Sequence, residues 1–173
     1  MKEKLEEAQR SKNQRDKINK VVSDLKNQRN ELKQMIFSNS KEITLLKEER
    51  DKFIEGADLK LENLRKEYKK ILNMLQRLER KVETSVLTKE REKKLVEESN
   101  KLRTKLKKLE NAMKLEDKIW ILRKRNKELK EKEQKLYKEM VEHVAQAEQY
   151  HKKMQICYQE INENRDVVKK IKK

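Results

Sequence analysis

The side chains of this chain that could do chemistry are two histidines, one cysteine and a large excess of lysine and arginine. His143, His151 and Cys157 are metal-ligand types, but eight and fourteen residues of helix spread them over about 21 Å at 1.5 Å per residue. One tetrahedral ion needs all its ligands within about 2.3 Å. The spacing therefore predicts no metal site and no metal cofactor.

Other kinds of catalytic site are equally hard to build from this composition. One glycine, Gly56, in 173 residues is too few for a glycine-rich phosphate loop. The many carboxylates fall on charged helical faces, where they solvate the surface or pair with lysine four residues on. We therefore expect no enzyme activity, no cofactor and no small-molecule substrate.

The cations suggest a different chemistry, because the formal net charge of +16 is concentrated in two stretches. Residues 60–81 hold eight Lys or Arg against three acids, and residues 101–130 hold twelve against four. A ladder of cations suits a phosphate backbone, which binds by releasing counterions and needs no base reading. The residues we expect to contact RNA phosphates are Arg65, Lys66, Lys69, Lys70, Arg77, Lys101, Lys105, Lys108, Arg123, Lys124 and Arg125. The alternative is that the lysines serve only solubility.

The elements that carry these cations are predicted to be long helices. The chain has no proline, and its apolar residues recur on an alternating four-three step, as in the run from Ile18 through Phe53. This heptad spacing predicts an all-α protein that forms a long antiparallel two-helix coiled-coil hairpin. The expected organisation is a first helix over 1–83, a turn over 84–88 and a second helix over 89–173.

The turn is predicted where β-branched and hydroxyl residues replace long helix formers. Thr88 could cap the second helix, with acidic residues in its first turn. An uninterrupted helix through this stretch is the alternative. The predicted hairpin tip, which could touch a protein or RNA feature, comprises Thr84, Ser85, Val86, Leu87 and Thr88.

The apolar heptad positions of each helix form a seam, the face that packs against the other helix. Antiparallel pairing of the two seams also predicts which polar residues meet. Aligning the apolar positions places Arg29 opposite His143, Asn39 opposite Glu133 and Arg50 opposite Leu122. It likewise puts Leu64 on Leu106 near the turn. Polar seam residues such as Asn39, Asn126 and Glu133 commonly fix register or oligomeric state. They support a second hypothesis, a structural spacer or self-assembly module that binds another coiled coil or a second copy of itself.

Two details of the seam carry further expectations. Eleven residues separate Phe53 from Leu64 where whole heptads give seven or fourteen, and the second seam slips in phase near Ala112. Together with Gly56, this out-of-phase segment is expected to bury little apolar area, exchange amides fast at 54–60 and 110–118, and act as a hinge. Aromatic residues, Trp120 included, are assigned to seam packing, which leaves no base-stacking platform.

No apolar run approaches the roughly 20 residues that a membrane span needs, and the start has no apolar core of a signal peptide. A single cysteine on the seam fits a reducing compartment. The sequence therefore predicts a cytoplasmic protein with no membrane partner.

Three segments carry recognisable patterns. Residues 15–32 begin RDKINKV and end LKNQRNEL, residues 78–96 contain LERKVET and LTKEREKKLV, and residues 151–166 begin HKKM and end NRD. These resemble an archaeal family of coiled-coil proteins that is more distantly similar to eukaryotic nuclear-segregation and brefeldin-A-resistance coiled-coil proteins. Arg80 stands where that pattern has an aromatic residue. The resemblance implies association with ribosomes or messenger ribonucleoprotein, and no catalytic residues.

Overall fold

The computed structural model describes residues 1–54 and 61–172, with the side chains of residues 61 and 62 also outside what it describes. The described chain forms three helices, α1 (Lys2–Phe53), α2 (Leu61–Thr84) and α3 (Lys89–Ile171). No strand occurs within these residues. The all-α prediction is confirmed, whereas a two-helix hairpin is too simple a description because there are three helices.

The predicted first helix over 1–83 is therefore divided. Helix α1 ends at Phe53, Ile54 lies in a bend, and α2 begins at Leu61. The division coincides with the eleven-residue step, where a continuous helix would turn its apolar stripe away from its partner. Gly56, the centre of the proposed hinge, lies outside the described residues.

The helices form two compact units, Met1–Ile36 with Lys127–Lys173, and Phe37–Asn126. We call the first the terminal unit and the second the central unit. In the terminal unit, Lys4 pairs with Glu160 and Arg29 with Glu133, so α1 and α3 run in opposite directions. In the central unit the same order holds, because Arg50 pairs with Glu116 and Glu79 with Arg103.

Burial along the helices follows the heptad spacing predicted from the sequence. On α1 the positions turned from solvent include Ala8, Leu25 and Ile43, and on α3 they include Ile119 and Ile161. The outer faces of both helices are exposed and charged. Such a narrow stripe spreads the apolar burial thinly along each pair of helices.

The main apolar cluster of the central unit lies where the heptad spacing is interrupted, after Phe53 on α1 and near Ala112 on α3. We call this place the phase break. It contains Ile54 at the end of α1, Leu64 and Ile71 on α2, and Leu109 and Ala112 on α3. The expectation that this segment buries little apolar area is therefore wrong. Where the seam slips, adjacent residues such as Phe53 and Ile54, or Ala112 and Met113, both turn towards the partner helix. More apolar side chains therefore pack between the helices at the phase break than a regular heptad would supply.

The predicted register of the polar seam residues is also wrong. Three cross-helix pairings differ from those predicted, each reaching a more N-terminal part of α3. Arg29 Nη2 donates to Glu133 Oε1 at 2.7 Å, Asn39 Nδ2 donates to Asn126 Oδ1 at 2.9 Å, and Arg50 pairs with Glu116. Apolar heptads can pair equally well after a slip of one heptad. Ionic and amide pairs remove this ambiguity, because a charge opposite an apolar residue would be desolvated without a partner.

Candidate nucleic-acid interface

All of the predicted phosphate-contact residues lie on one unit and face solvent. Five of them are on α2 and six on α3, within the central unit, and every side chain is exposed. We call this set the basic sleeve: Arg65, Lys66, Lys69, Lys70, Arg77, Lys101, Lys105, Lys108, Arg123, Lys124 and Arg125. Exposed helical positions place the charged groups where a phosphate can reach them without desolvating the protein core.

Four acids near the sleeve already have partners. Glu79 accepts from Arg103 Nη2 at 2.6 Å, and Glu110 lies 3.5 Å from Lys114 Nζ. Buried Glu116 pairs with Arg50 of α1, a residue outside the sleeve. Asp117 approaches Arg65 Nη2 at 3.8 Å. Among the described residues, Arg65 is thus the only sleeve member with a carboxylate partner, and the other cations remain available to a polyanion.

Two sleeve lysines border a groove between α2 and α3. This groove has a volume of about 520 Å³. Its residues are Met74, Leu78, Glu98, Lys101, Leu102, Thr104 and Lys105. Lys101 and Lys105 are one helical turn apart on α3, and Glu98 lies one turn before Lys101. The groove thus combines apolar side chains with two cations and one acid.

Trp120 was predicted to pack in the seam, and this prediction is wrong. Its side chain is 59% exposed, because the neighbouring Ile119 occupies the seam and is fully buried. Lys124 Nζ lies 5.4 Å from the centre of the indole ring. The four-three step counted back from Leu122 places Ile119 on the seam, and the structure confirms that position. The wrong step was to assign the adjacent Trp120 to the seam as well.

The predicted tip connects α2 to α3. Helix α2 ends at Thr84, whose hydroxyl donates to the Arg80 carbonyl at 2.6 Å. Helix α3 starts after Thr88, whose carbonyl accepts from the Glu92 amide at 2.9 Å. Val86 is fully exposed, Leu87 is half-buried, and Ser85 is exposed. The tip therefore presents one apolar side chain and several hydroxyl groups to solvent.

The metal-ligand residue types each have a different environment along α3. Arg15 Nη1 donates to His151 Nδ1 at 3.2 Å, Cys157 is buried as a free thiol, and His143 is half-buried. Across residues 1–54 and 61–172 no cluster of three or more His, Cys, Asp or Glu is close enough to bind an ion. Nor does any helix in the described part carry an apolar stretch long enough to cross a bilayer.

Comparison with known proteins gives one match. No curated protein and no solved structure is significantly similar to this chain. A family model, described as a family of unknown function, matches residues 1–173. The chain therefore belongs to the family of unknown function DUF7121.

Proposed function

We propose that this protein is a non-enzymatic, helical RNA-binding factor whose basic sleeve grips the phosphate backbone of RNA, with ribosomal or messenger ribonucleoprotein as its natural target. The observation that carries the proposal is the charge imbalance on the central unit. Ten of its exposed sleeve cations have no carboxylate partner among the described residues, while four of the acids beside them are already paired.

Electrostatics favour a polyanion over a single anionic ligand. The cations extend along two antiparallel helices instead of converging on one point, so each would meet a different phosphate. Contacts of this kind provide affinity and orientation without sequence specificity. The resemblance to ribosome- and ribonucleoprotein-associated coiled-coil proteins points to the same class of partner.

The test is the salt dependence of RNA binding, measured by fluorescence anisotropy of a labelled oligonucleotide. One variant reverses five sleeve lysines to glutamate, at Lys66, Lys69, Lys70, Lys101 and Lys105. For single strands, each lost phosphate contact lowers the slope of log affinity against log salt by about 0.7. We therefore expect the slope to fall by about 3.5 and ribosome co-sedimentation to be lost.

A matched control keeps the overall charge equal. It reverses five exposed lysines of the terminal unit, Lys12, Lys17, Lys20, Lys26 and Lys152. Each reversal removes two charges, so both variants go from a formal +16 to +6. Circular dichroism checks that both remain helical. Equal loss of binding in the two variants would mean that net charge, and not the sleeve, is responsible, and the proposal would be wrong.

The self-assembly hypothesis loses its main support in this structure. It depended on polar seam residues, but Asn39 bonds to Asn126 and Arg29 to Glu133 within the same chain. These pairs select the intrachain register and therefore give no argument for a partner helix. A stable dimer that ignores RNA in light-scattering measurements would restore this alternative.

A further inference from the structure

Trp120 lies in an unusual place for a large aromatic side chain. It is 59% exposed on the outer face of α3, although seam positions lie immediately beside it, and Ile121 is also exposed. Single exposed apolar residues are common, but tryptophan is costly to hydrate and is enriched where proteins bind partners. More than half of its surface therefore lies outside the packing of the helices.

The surroundings of Trp120 are cationic. Lys124 lies one turn further on with its ammonium 5.4 Å from the ring centre, and Arg123 and Arg125 flank this lysine on the exposed surface. The two acids on the preceding turn both have cationic partners, Glu116 with Arg50 of α1 and Asp117 with Arg65 of α2 at 3.8 Å. Their charges are therefore offset, and the ring is bordered by groups that attract phosphates.

We propose that Trp120 is a stacking platform for an unpaired base, with Arg123 and Lys124 holding the adjacent phosphates. This inference rests on the proposed RNA-binding function and specifies it, because the sleeve alone would accept single and double strands alike. In a duplex the bases are already stacked, so an aromatic ring selects single-stranded segments. Stacking with a base is stronger than an exposed cation–π contact, so the base can displace Lys124 and free it for a phosphate.

The charges around Trp120 favour RNA over a membrane or a protein as the partner that binds the exposed ring. A membrane surface would need a continuous apolar stripe around the ring. The residues three and four positions on, Arg123 and Lys124, are instead charged. A protein partner would leave these adjacent cations to be desolvated at its interface, at a cost that only matching acids could offset.

The experiment uses the fact that the chain contains one tryptophan. Fluorescence excited at a wavelength that the four tyrosines do not absorb therefore reports on residue 120 alone, while anisotropy of labelled RNA reports on any binding. The full chain is titrated with a 12-nucleotide oligouridylate and with a 12-base-pair RNA duplex. We expect the single strand to quench Trp120 and the duplex to leave it nearly unchanged.

Two variants separate stacking from general binding. Trp120→Leu should weaken single-strand binding about 10-fold and change duplex binding less than about 2-fold. Phe37→Leu is the matched control, because Phe37 is also exposed in the central unit and has Lys41 Nζ 4.6 Å from its ring centre. No run of three cations follows Phe37, so Phe37→Leu should leave the affinities for single-stranded and duplex RNA unchanged.

The outcomes distinguish this inference from the proposed function. Salt-dependent binding without quenching, or a Trp120→Leu variant with unchanged single-strand affinity, would overturn the stacking site and leave the sleeve intact. Absence of RNA binding in anisotropy would overturn both. Quenching by phosphatidylserine vesicles but not by oligouridylate would assign the ring to a membrane surface and refute the inference.

Discussion

Replacing Leu64 by alanine should loosen the apolar cluster at the phase break. Leu64 is fully buried and packs with Ile54, Ile71, Leu109 and Ala112. Leucine-to-alanine changes in packed cores cost about 2.7–5.0 kcal/mol, depending on how far the site collapses. Because Leu64 lies near the start of α2, partial relaxation is available, so a loss of about 3 kcal/mol is expected.

Amide hydrogen exchange measures this loss where it occurs. In the wild-type protein the amides of residues 109–113 should exchange slowly, because this part of α3 contributes side chains to the cluster. A loss of about 3 kcal/mol corresponds to roughly 100-fold faster exchange there, at about 1.4 kcal/mol for each factor of ten. This is the opposite of the fast exchange expected from the sequence for 110–118.

Met74→Ala is the control, because Met74 is an exposed apolar residue of the same helix. Its effect should stay within about 0.5 kcal/mol. If the amides of residues 109–113 in the wild-type protein exchange as fast as those at the helix ends, the cluster does not stabilise the helices at the phase break. Equal effects of Leu64→Ala and Met74→Ala would lead to the same conclusion.

Two further changes test the polar seam of the terminal unit. Arg29→Met should destabilise by about 2 kcal/mol in urea unfolding, because Glu133 is only 16% exposed and loses a charged donor, and adding Glu133→Leu should recover most of this loss. Additive effects in this double-mutant cycle would show that the pair does not stabilise the fold. His143→Leu should raise the unfolding midpoint, since His143 Nδ1 is buried without a hydrogen-bond partner in the described part of the chain, and such a group costs about 1–3 kcal/mol. A lower midpoint would contradict this reading.

Some of this structure could be predicted from the sequence because it depends on local periodicity. The four-three step correctly placed Leu25, Ile43 and Ile161 on the buried face. The cations of the sleeve could likewise be assigned to exposed positions, since long charged side chains are rarely buried without a partner. These features depend only on the spacing within one helix.

The features that were predicted wrongly depend on the relation between helices. Spacing places Ile119 on the seam, but near a phase slip two adjacent residues can both face the partner helix, as Ala112 and Met113 do, so spacing does not exclude Trp120. The cross-helix register failed because a slip of one heptad leaves the apolar pattern almost unchanged. Only pairs such as Asn39 with Asn126 distinguish one register from the next, and spacing alone does not weigh them.

Register in turn determines which charges stay free for a partner. With Leu64 on Leu106, the predicted register would place Arg65 beside Lys105, and like charges would repel each other across the groove. In the structure Arg65 instead lies 3.8 Å from Asp117, and Arg103 reaches Glu79. The observed register thus pairs Asp117 and Glu79 across the helices with two arginines, of which only Arg65 belongs to the sleeve. It leaves Lys101, Lys105 and the cations around Trp120 without carboxylates, and this residual charge is what a phosphate backbone would recognise.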